Sequence, residues 1–208
     1  MVEERPVRFD AGGIELEGLL AEEGTGIGVV VCHPHPLYGG EMHNNVVEGI
    51  CRCLRREGVS TLRFNFRGTG GSQGAHAGGE AEREDVRAAV GLLLEGSARV
   101  AVCGYSFGAA VGAQAGCTDP RVEAVAAVAL PVGLIDAPAI RDCVKAKLLV
   151  AGERDEIAPR ERIARLFEAL PDPKTLEKIP GADHFFLGRE QEVGDAVARF
   201  VLRCLKTD

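Results

Sequence analysis

The sequence predicts an α/β fold: a mostly parallel twisted sheet with helices on both faces and an antiparallel hairpin at its start. Two observations carry this. Short, almost continuously apolar runs recur along the chain, as strands buried on both faces of a parallel sheet do. The segments between them have the apolar period of helices. The alternation is almost unbroken, with no repeat, low-complexity stretch or long linker. Right-handed crossovers then place helices on both sides of one sheet.

In chain order, Arg5 to Asp10 and Ile14 to Ala21, separated by Gly12-Gly13, form the expected hairpin. The inner strands are the runs Gly28 to Cys32, Val59 to Phe66, Val100 to Cys103, Val122 to Leu130 and Lys147 to Ala151, and Thr175 to Ile179 is the last strand. A helix is expected from near His43. Val86, Val90, Leu93 and Leu94 form one helical stripe. Ile163, Leu166, Phe167 and Leu170 form another, opened by Pro159 and closed by Pro171, as helix boundaries should be. A final helix, Glu190 to Leu205, turns Val193, Val197, Phe200 and Val201 inward. In such a sheet catalytic groups belong at the carboxyl ends of the strands.

The chain has 208 residues, which fits a single domain over residues 1–208. Apolar residues make up 46% and charged residues 26%, the balance of a soluble globular protein. A net charge of −7 argues against nucleic acid or an anionic membrane as partner. The charged start, Met1 to Phe9, has no apolar core of a signal peptide, and no run approaches the ~18 apolar residues of a membrane span. Seven cysteines is an odd number in a chain too large to need a disulfide framework. Cys32 and Cys103 read as small buried hydrophobes; Cys51 and Cys53, two apart on a helix, face opposite sides. A reducing cytoplasm is the expected setting.

Val100 to Ala110 reads strand, Gly-x-Ser-x-Gly, helix, with Ser106 at the centre. In that context the motif marks a nucleophile elbow, a sharp turn that lifts the hydroxyl clear of the sheet. With four serines and 27 glycines in the chain, chance supplies only roughly 0.07 such motifs. A serine hydroxyl needs a general base within hydrogen-bond reach. Of the five histidines, only His184 follows Ser106, in a loop between the last strand and the last helix. The acid is expected between them in sequence. Asp155, just past a buried strand, is the favoured candidate, with Glu153, Glu156 and Asp136 as rivals and Asp183 poorly placed beside the base.

A tetrahedral intermediate also needs backbone N–H donors. Phe107, after the nucleophile, supplies the first. The second belongs to the loop Val31 to Gly40, where Pro34 and Pro36 have no N–H. That leaves His35 or Leu37, with His35 preferred. His33, His35 and His43 lack the spacing of a metal site, so no metal is expected. The glycines of Asn65 to Gly74 fit neither a Walker nor a dinucleotide spacing. That stretch, with Arg67 in it, reads as a tight turn rather than a phosphate cradle.

Taken together, His33-Pro-His-Pro-Leu-Tyr-Gly-Gly40, Leu62-Arg-Phe-Asn-Phe-Arg-Gly-Thr-Gly-Gly-Ser72, Gly104-Tyr-Ser-Phe-Gly-Ala109, Gly152-Glu-Arg-Asp155 and Gly181-Ala-Asp-His-Phe-Phe186 resemble a bacterial group of small α/β-hydrolases related to dienelactone hydrolase. The resemblance covers nearly the whole chain. It implies the α/β-hydrolase fold, a Ser-His-Asp triad, esterase-like chemistry and no cofactor. Dienelactone hydrolase itself carries a cysteine where this chain has Ser106, so its specificity does not carry over. The segment Val122 to Val144, where many hydrolases insert a helical cap, is short here, and no cap domain is expected.

The expected activity is cleavage of carboxylic esters, or thioesters, of small acyl groups. Two rivals stand beside it. An acyl-peptide hydrolase or peptidase usually needs substrate-gripping domains this chain lacks. A binding protein on a hydrolase frame tends to lose a triad member, and all three are present. Short acyl chains are expected to be preferred for want of a cap. An overlooked groove would be built from Leu37, Tyr38, Leu134 and Ile135, or completed by a second subunit.

Overall fold

The computed structural model describes residues 2–134 and 137–206. Its strands are β1 (Arg5–Asp10), β2 (Glu15–Ala21), β3 (Ile27–Cys32), β4 (Ser60–Phe64), β5 (Arg99–Tyr105), β6 (Val122–Val128), β7 (Ala146–Gly152) and β8 (Lys174–Ile179). Its helices are α1 (Asn45–Arg56), α2 (Glu82–Leu93), α3 (Phe107–Thr118), α4 (Arg160–Ala169) and α5 (Glu190–Leu205). All eight strands join one sheet in the order β1-β2-β4-β3-β5-β6-β7-β8. The pairs β1–β2 and β2–β4 are antiparallel, and every pair from β4 to β8 is parallel.

Strands β3, β5, β6 and β7 are mostly apolar because helices cover both faces, whereas the edge strand β8 is mixed and half-buried. Alternate residues of β3 divide between them. Val30 and Cys32 join α2, α3 and α4, while Val29 and Val31 join α1 and α5, the two-residue alternation of strand side chains. Helix α3 is buried along nearly its whole length and made mostly of Ala and Gly, which lets it lie close on the sheet. Between β6 and β7 the described residues hold only a short 3-10 turn, Pro138–Ile140. Among the described residues no cap stands over the strand ends.

Several predicted boundaries move by a residue or two, and three of the shifts have a visible cause. The β4 run was expected to reach Phe66 but stops at Phe64. Beyond it the Phe66 N–H donates to the His33 imidazole Nε2 at 3.0 Å, and the Asn65 side chain accepts from the Met42 N–H at 2.8 Å. A side chain thus replaces the ladder partner of Phe66. The β6 run stops at Val128, not Leu130, because Ala129 turns to φ 48°. Helix α1 starts at Asn45, beyond His43, because Asn44 caps it by accepting from the Val46 N–H at 3.0 Å.

Arg63 and Arg67 are both neutralised. Arg63 is nearly buried and pairs with Glu4 and Glu48; Arg67 pairs with the buried Asp85. The Asn65–Gly74 stretch is a tight turn. The Gly68 N–H donates to the Gln73 carbonyl at 3.0 Å, and the Gly71 N–H to Glu17 at 2.7 Å. Among the described residues no helix is long and apolar enough to cross a membrane.

Candidate active site

Ser106 sits between β5 and α3 with φ 54° and ψ −115°, a left-handed backbone that costs a non-glycine residue of order 1–3 kcal/mol. The surroundings hold it there. Its N–H donates to the Val128 carbonyl at 2.9 Å, and its carbonyl accepts from Ala109 and Ala110. A Cβ at Gly108 would lie 2.5 Å from the carbonyl oxygens of both Cys32 and His33. The motif glycine is therefore required by the close approach of α3 to the end of β3.

The loop after β8 brings His184 to this turn. Its Nε2 lies 2.9 Å from Ser106 Oγ, and its Nδ1 lies 2.8 Å from Asp155 Oδ2. The Asp155 carboxylate is fully shielded from solvent. Its other oxygen, Oδ1, accepts from the Ile157 and Ala158 N–H groups at 2.9 and 2.7 Å. Both acceptor edges of the carboxylate are thus assigned by the fold. The loops carrying acid and base must run close together, and Gly152 permits it: a Cβ there would lie 2.7 Å from the Ala182 and Asp183 carbonyl oxygens.

Of the rival acids, Asp183 accepts from the Phe185 N–H at 3.0 Å and Glu153 from the Gly181 N–H at 2.9 Å. Both shape the base loop and neither bonds the imidazole. Glu156 is exposed. Asp136 and Ile135 lie outside the described residues.

Phe107 is the first residue of α3, so its N–H has no acceptor within the helix. In the facing loop, the Leu37 N–H donates to His35 Nδ1 at 3.2 Å. The His35 N–H has no protein acceptor among the described residues. Its amide, between two prolines, is the free donor of that loop.

His33 plays a different part. Its Nε2 accepts from the Phe66 N–H, so its Nδ1 carries the hydrogen and donates to the Pro34 carbonyl at 2.7 Å. Burial pushes this imidazole down to about 4. A base whose folded value lies below its unfolded one contributes stability above the unfolded value, and that contribution is lost as pH falls. Between pH 6.5 and 4, His33 is expected to withdraw about 3 kcal/mol of folding stability. Urea unfolding at several pH values checks this, and His33→Gln is expected to remove that share of the acid sensitivity. Among the described residues no three His, Cys, Asp or Glu side chains converge on a metal position.

Three side chains of the site escaped the sequence reading. The Tyr105 hydroxyl donates to the His184 carbonyl at 2.8 Å and so pins the base loop from β5. Burial first, then the Asp155 and Asp183 carboxylates, push this phenol up and keep it protonated. A tyrosine in an apolar strand needs such a partner, which is the signal that was available. His76 and Glu82 lie beneath the His35 loop and carried no motif.

An apolar hollow of about 350 Å³ opens near the end of β6, lined by Leu130, Val132, Leu134, Ala137, Ile140 and Leu166, with Arg141 at its edge. Leu130 lies two residues past Val128, whose carbonyl holds Ser106. The expected groove residues are only partly recovered: Leu134 lines the hollow, while Leu37 and Tyr38 do not and stand exposed.

The alpha/beta hydrolase domain family matches residues 29–199 of this chain. An uncharacterized protein of Rickettsia prowazekii is 32% identical over 184 residues, 83% of this chain and 77% of that protein. An α/β serine hydrolase without lid from Xanthomonas campestris superposes with a TM-score of 0.89 at 28% identity, covering 99% of this chain and 97% of that one. An α/β serine hydrolase homologue from Coxiella burnetii gives 0.87 at 30% identity, covering 96% and 98%. A match running from β3 into α5, with solved hydrolases that superpose over nearly their full length, makes this chain a member of the α/β-hydrolase family.

Proposed function

We propose that the protein is a serine hydrolase acting on carboxylic esters of small acyl groups, with thioesters as a second acyl class. The observation that carries the reading is the continuous chain from Ser106 Oγ through His184 to Asp155, at 2.9 and 2.8 Å. In this reading Ser106 Oγ attacks the acyl carbon while His184 Nε2 takes its proton, and the carbonyl π electrons move onto oxygen. The Phe107 and His35 N–H groups receive that oxyanion. The intermediate collapses by expelling the alcohol, which takes the proton from His184, and leaves an acyl-serine. Water then repeats the sequence and frees the acid. Asp155 holds the imidazole and stabilises its cationic form without taking the proton. No step calls for a cofactor. Seven free thiols fit a reducing cytoplasm as its setting.

Labelling with a fluorophosphonate probe tests the reading. Wild type is expected to be labelled at Ser106 and Ser106→Ala to remain unlabelled; folded wild type that resists the probe would overturn it. The hollow beside β6 also changes the expected chain-length profile from the one the sequence suggested. Each methylene it buries adds about 0.8 kcal/mol, roughly fourfold in kcat/KM. A volume of about 350 Å³ limits how many it can take. p-Nitrophenyl esters are expected to improve from acetate to hexanoate and to lose the gain by palmitate. A flat profile from acetate onward would exclude the hollow as acyl site.

A further inference from the structure

The loop beneath His35 contains a buried carboxylate that the mechanism does not use. Glu82, the first residue of α2, has no solvent exposure. One oxygen accepts from the Ala77 N–H at 2.7 Å, and the other accepts from the Gly79 N–H at 2.8 Å. The first also lies 3.0 Å from His76 Nδ1. The negative charge sits at a helix N-terminus, where the backbone dipoles favour it. A buried carboxylate of this kind is costly unless its bonds are made; both of its backbone bonds go to residues 77 and 79, while His76 Nδ1 lies close without a hydrogen bond.

That segment packs against both groups proposed as oxyanion donors. The His76 ring lies 5.0 Å from the His35 ring and 5.3 Å from Phe107, and His35 lies 4.8 Å from Phe107. A Cβ built at Gly79 would stand 3.5 Å from the Phe107 ring. His35 is also tied to its own loop, since its Nδ1 accepts from the Leu37 N–H. A displacement of the His76 ring therefore reaches the backbone of both donors through rings in contact.

We propose that Glu82 and His76 are positioning residues of the oxyanion hole: Glu82 fixes the 76–79 loop, and the His76 ring braces His35 and Phe107 so that their N–H groups converge. The proposal rests on the reading of Ser106 as nucleophile. Neither residue touches substrate. Their effect falls on the charge that develops in the transition state, and therefore on kcat rather than KM.

Four variants and one inhibitor test it. A trifluoromethyl ketone binds by the same chemistry as the first step: Ser106 Oγ bonds the carbonyl carbon, its proton passes to His184, and the ketone oxygen becomes the oxyanion. Losing an oxyanion donor outright costs about 10²–10³ in kcat, and a misplaced pair is expected to cost about tenfold. His76→Ala and Glu82→Gln should each lower kcat by that factor, keep KM within about twofold, and weaken the ketone in proportion. His76→Phe, which keeps the ring, should recover both values. The His76→Ala, Glu82→Gln double variant should lose little more than either single one, as members of one network do. Wild-type kcat and ketone affinity in His76→Ala would overturn the proposal even if Glu82→Gln fails to fold. A loss confined to KM, or one that His76→Phe shares in full, would also overturn it. Failure of wild type to bind the ketone or to turn over esters would instead remove the nucleophile reading beneath it.

Discussion

Replacing Ser106 by alanine is expected to lower kcat on a p-nitrophenyl ester by several orders of magnitude while the fold stays intact. The missing oxygen is the only group within hydrogen-bond reach of His184 Nε2 among the described residues, so nothing else there inherits its proton transfer. Some acceleration over water should survive. The Phe107 and His35 N–H groups remain, and the oxyanion hole with substrate binding alone retains about 10³–10⁴-fold in serine hydrolases. Alanine tolerates the φ of 54° no worse than serine does, so the melting temperature should move little. Folded Ser106→Ala with near-normal turnover would end the reading. A burst of p-nitrophenol in wild type, absent in the variant, would report the acyl-serine directly.

Asp155→Asn is expected to cost about 10⁴ in kcat, for a reason that can be read from the two edges of the carboxylate. Oδ1 accepts from the Ile157 and Ala158 N–H groups, so the asparagine oxygen must stay on that side. The new NH₂ then faces His184 Nδ1, where Oδ2 stood at 2.8 Å. A donor there forces the imidazole hydrogen onto Nε2, and Nε2 can no longer take a proton from Ser106. Asp183→Asn and Glu153→Gln keep an oxygen for the single backbone N–H that each aspartate or glutamate binds. Both should cost less than about tenfold. If Asp136→Asn proved more damaging than Asp155→Asn, the acid would have been misassigned.

Much of this arrangement was legible because each part rests on local chemistry. Gly104-Tyr-Ser-Phe-Gly108 between an apolar run and a small-residue helix describes a turn, and the turn itself exposes the serine. The apolar runs marked β3 to β7 because a strand covered on both faces has no polar side to show. Pro159 and Pro171 bracketed α4 because proline removes the backbone donor that a helix interior needs. The end of β4 slipped because a side chain from elsewhere took over a backbone bond. His33 captures the Phe66 N–H, and no pattern within residues 59 to 66 announces a partner more than thirty residues upstream.

By itself, then, the sequence determined the class of fold, the order of its elements, the turn that carries Ser106 and the histidine and acid most suited to serve it. Those follow from periodicity, from steric limits at glycine and proline, and from residue chemistry, all of which act over a few neighbouring positions. The tertiary structure alone decided which edge of Asp155 meets His184, that the Leu37 N–H is spent on His35 while the His35 N–H stays free, and that Tyr105, His76 and Glu82 support the site. It also opened a hollow from residues of the segment after β6 and from α4, of which the sequence had pointed only to Leu134. Each of these depends on distances between segments far apart in the chain. Hydrogen bonds and ring contacts act over a few ångströms of space, and only the folded sheet brings those segments within that range.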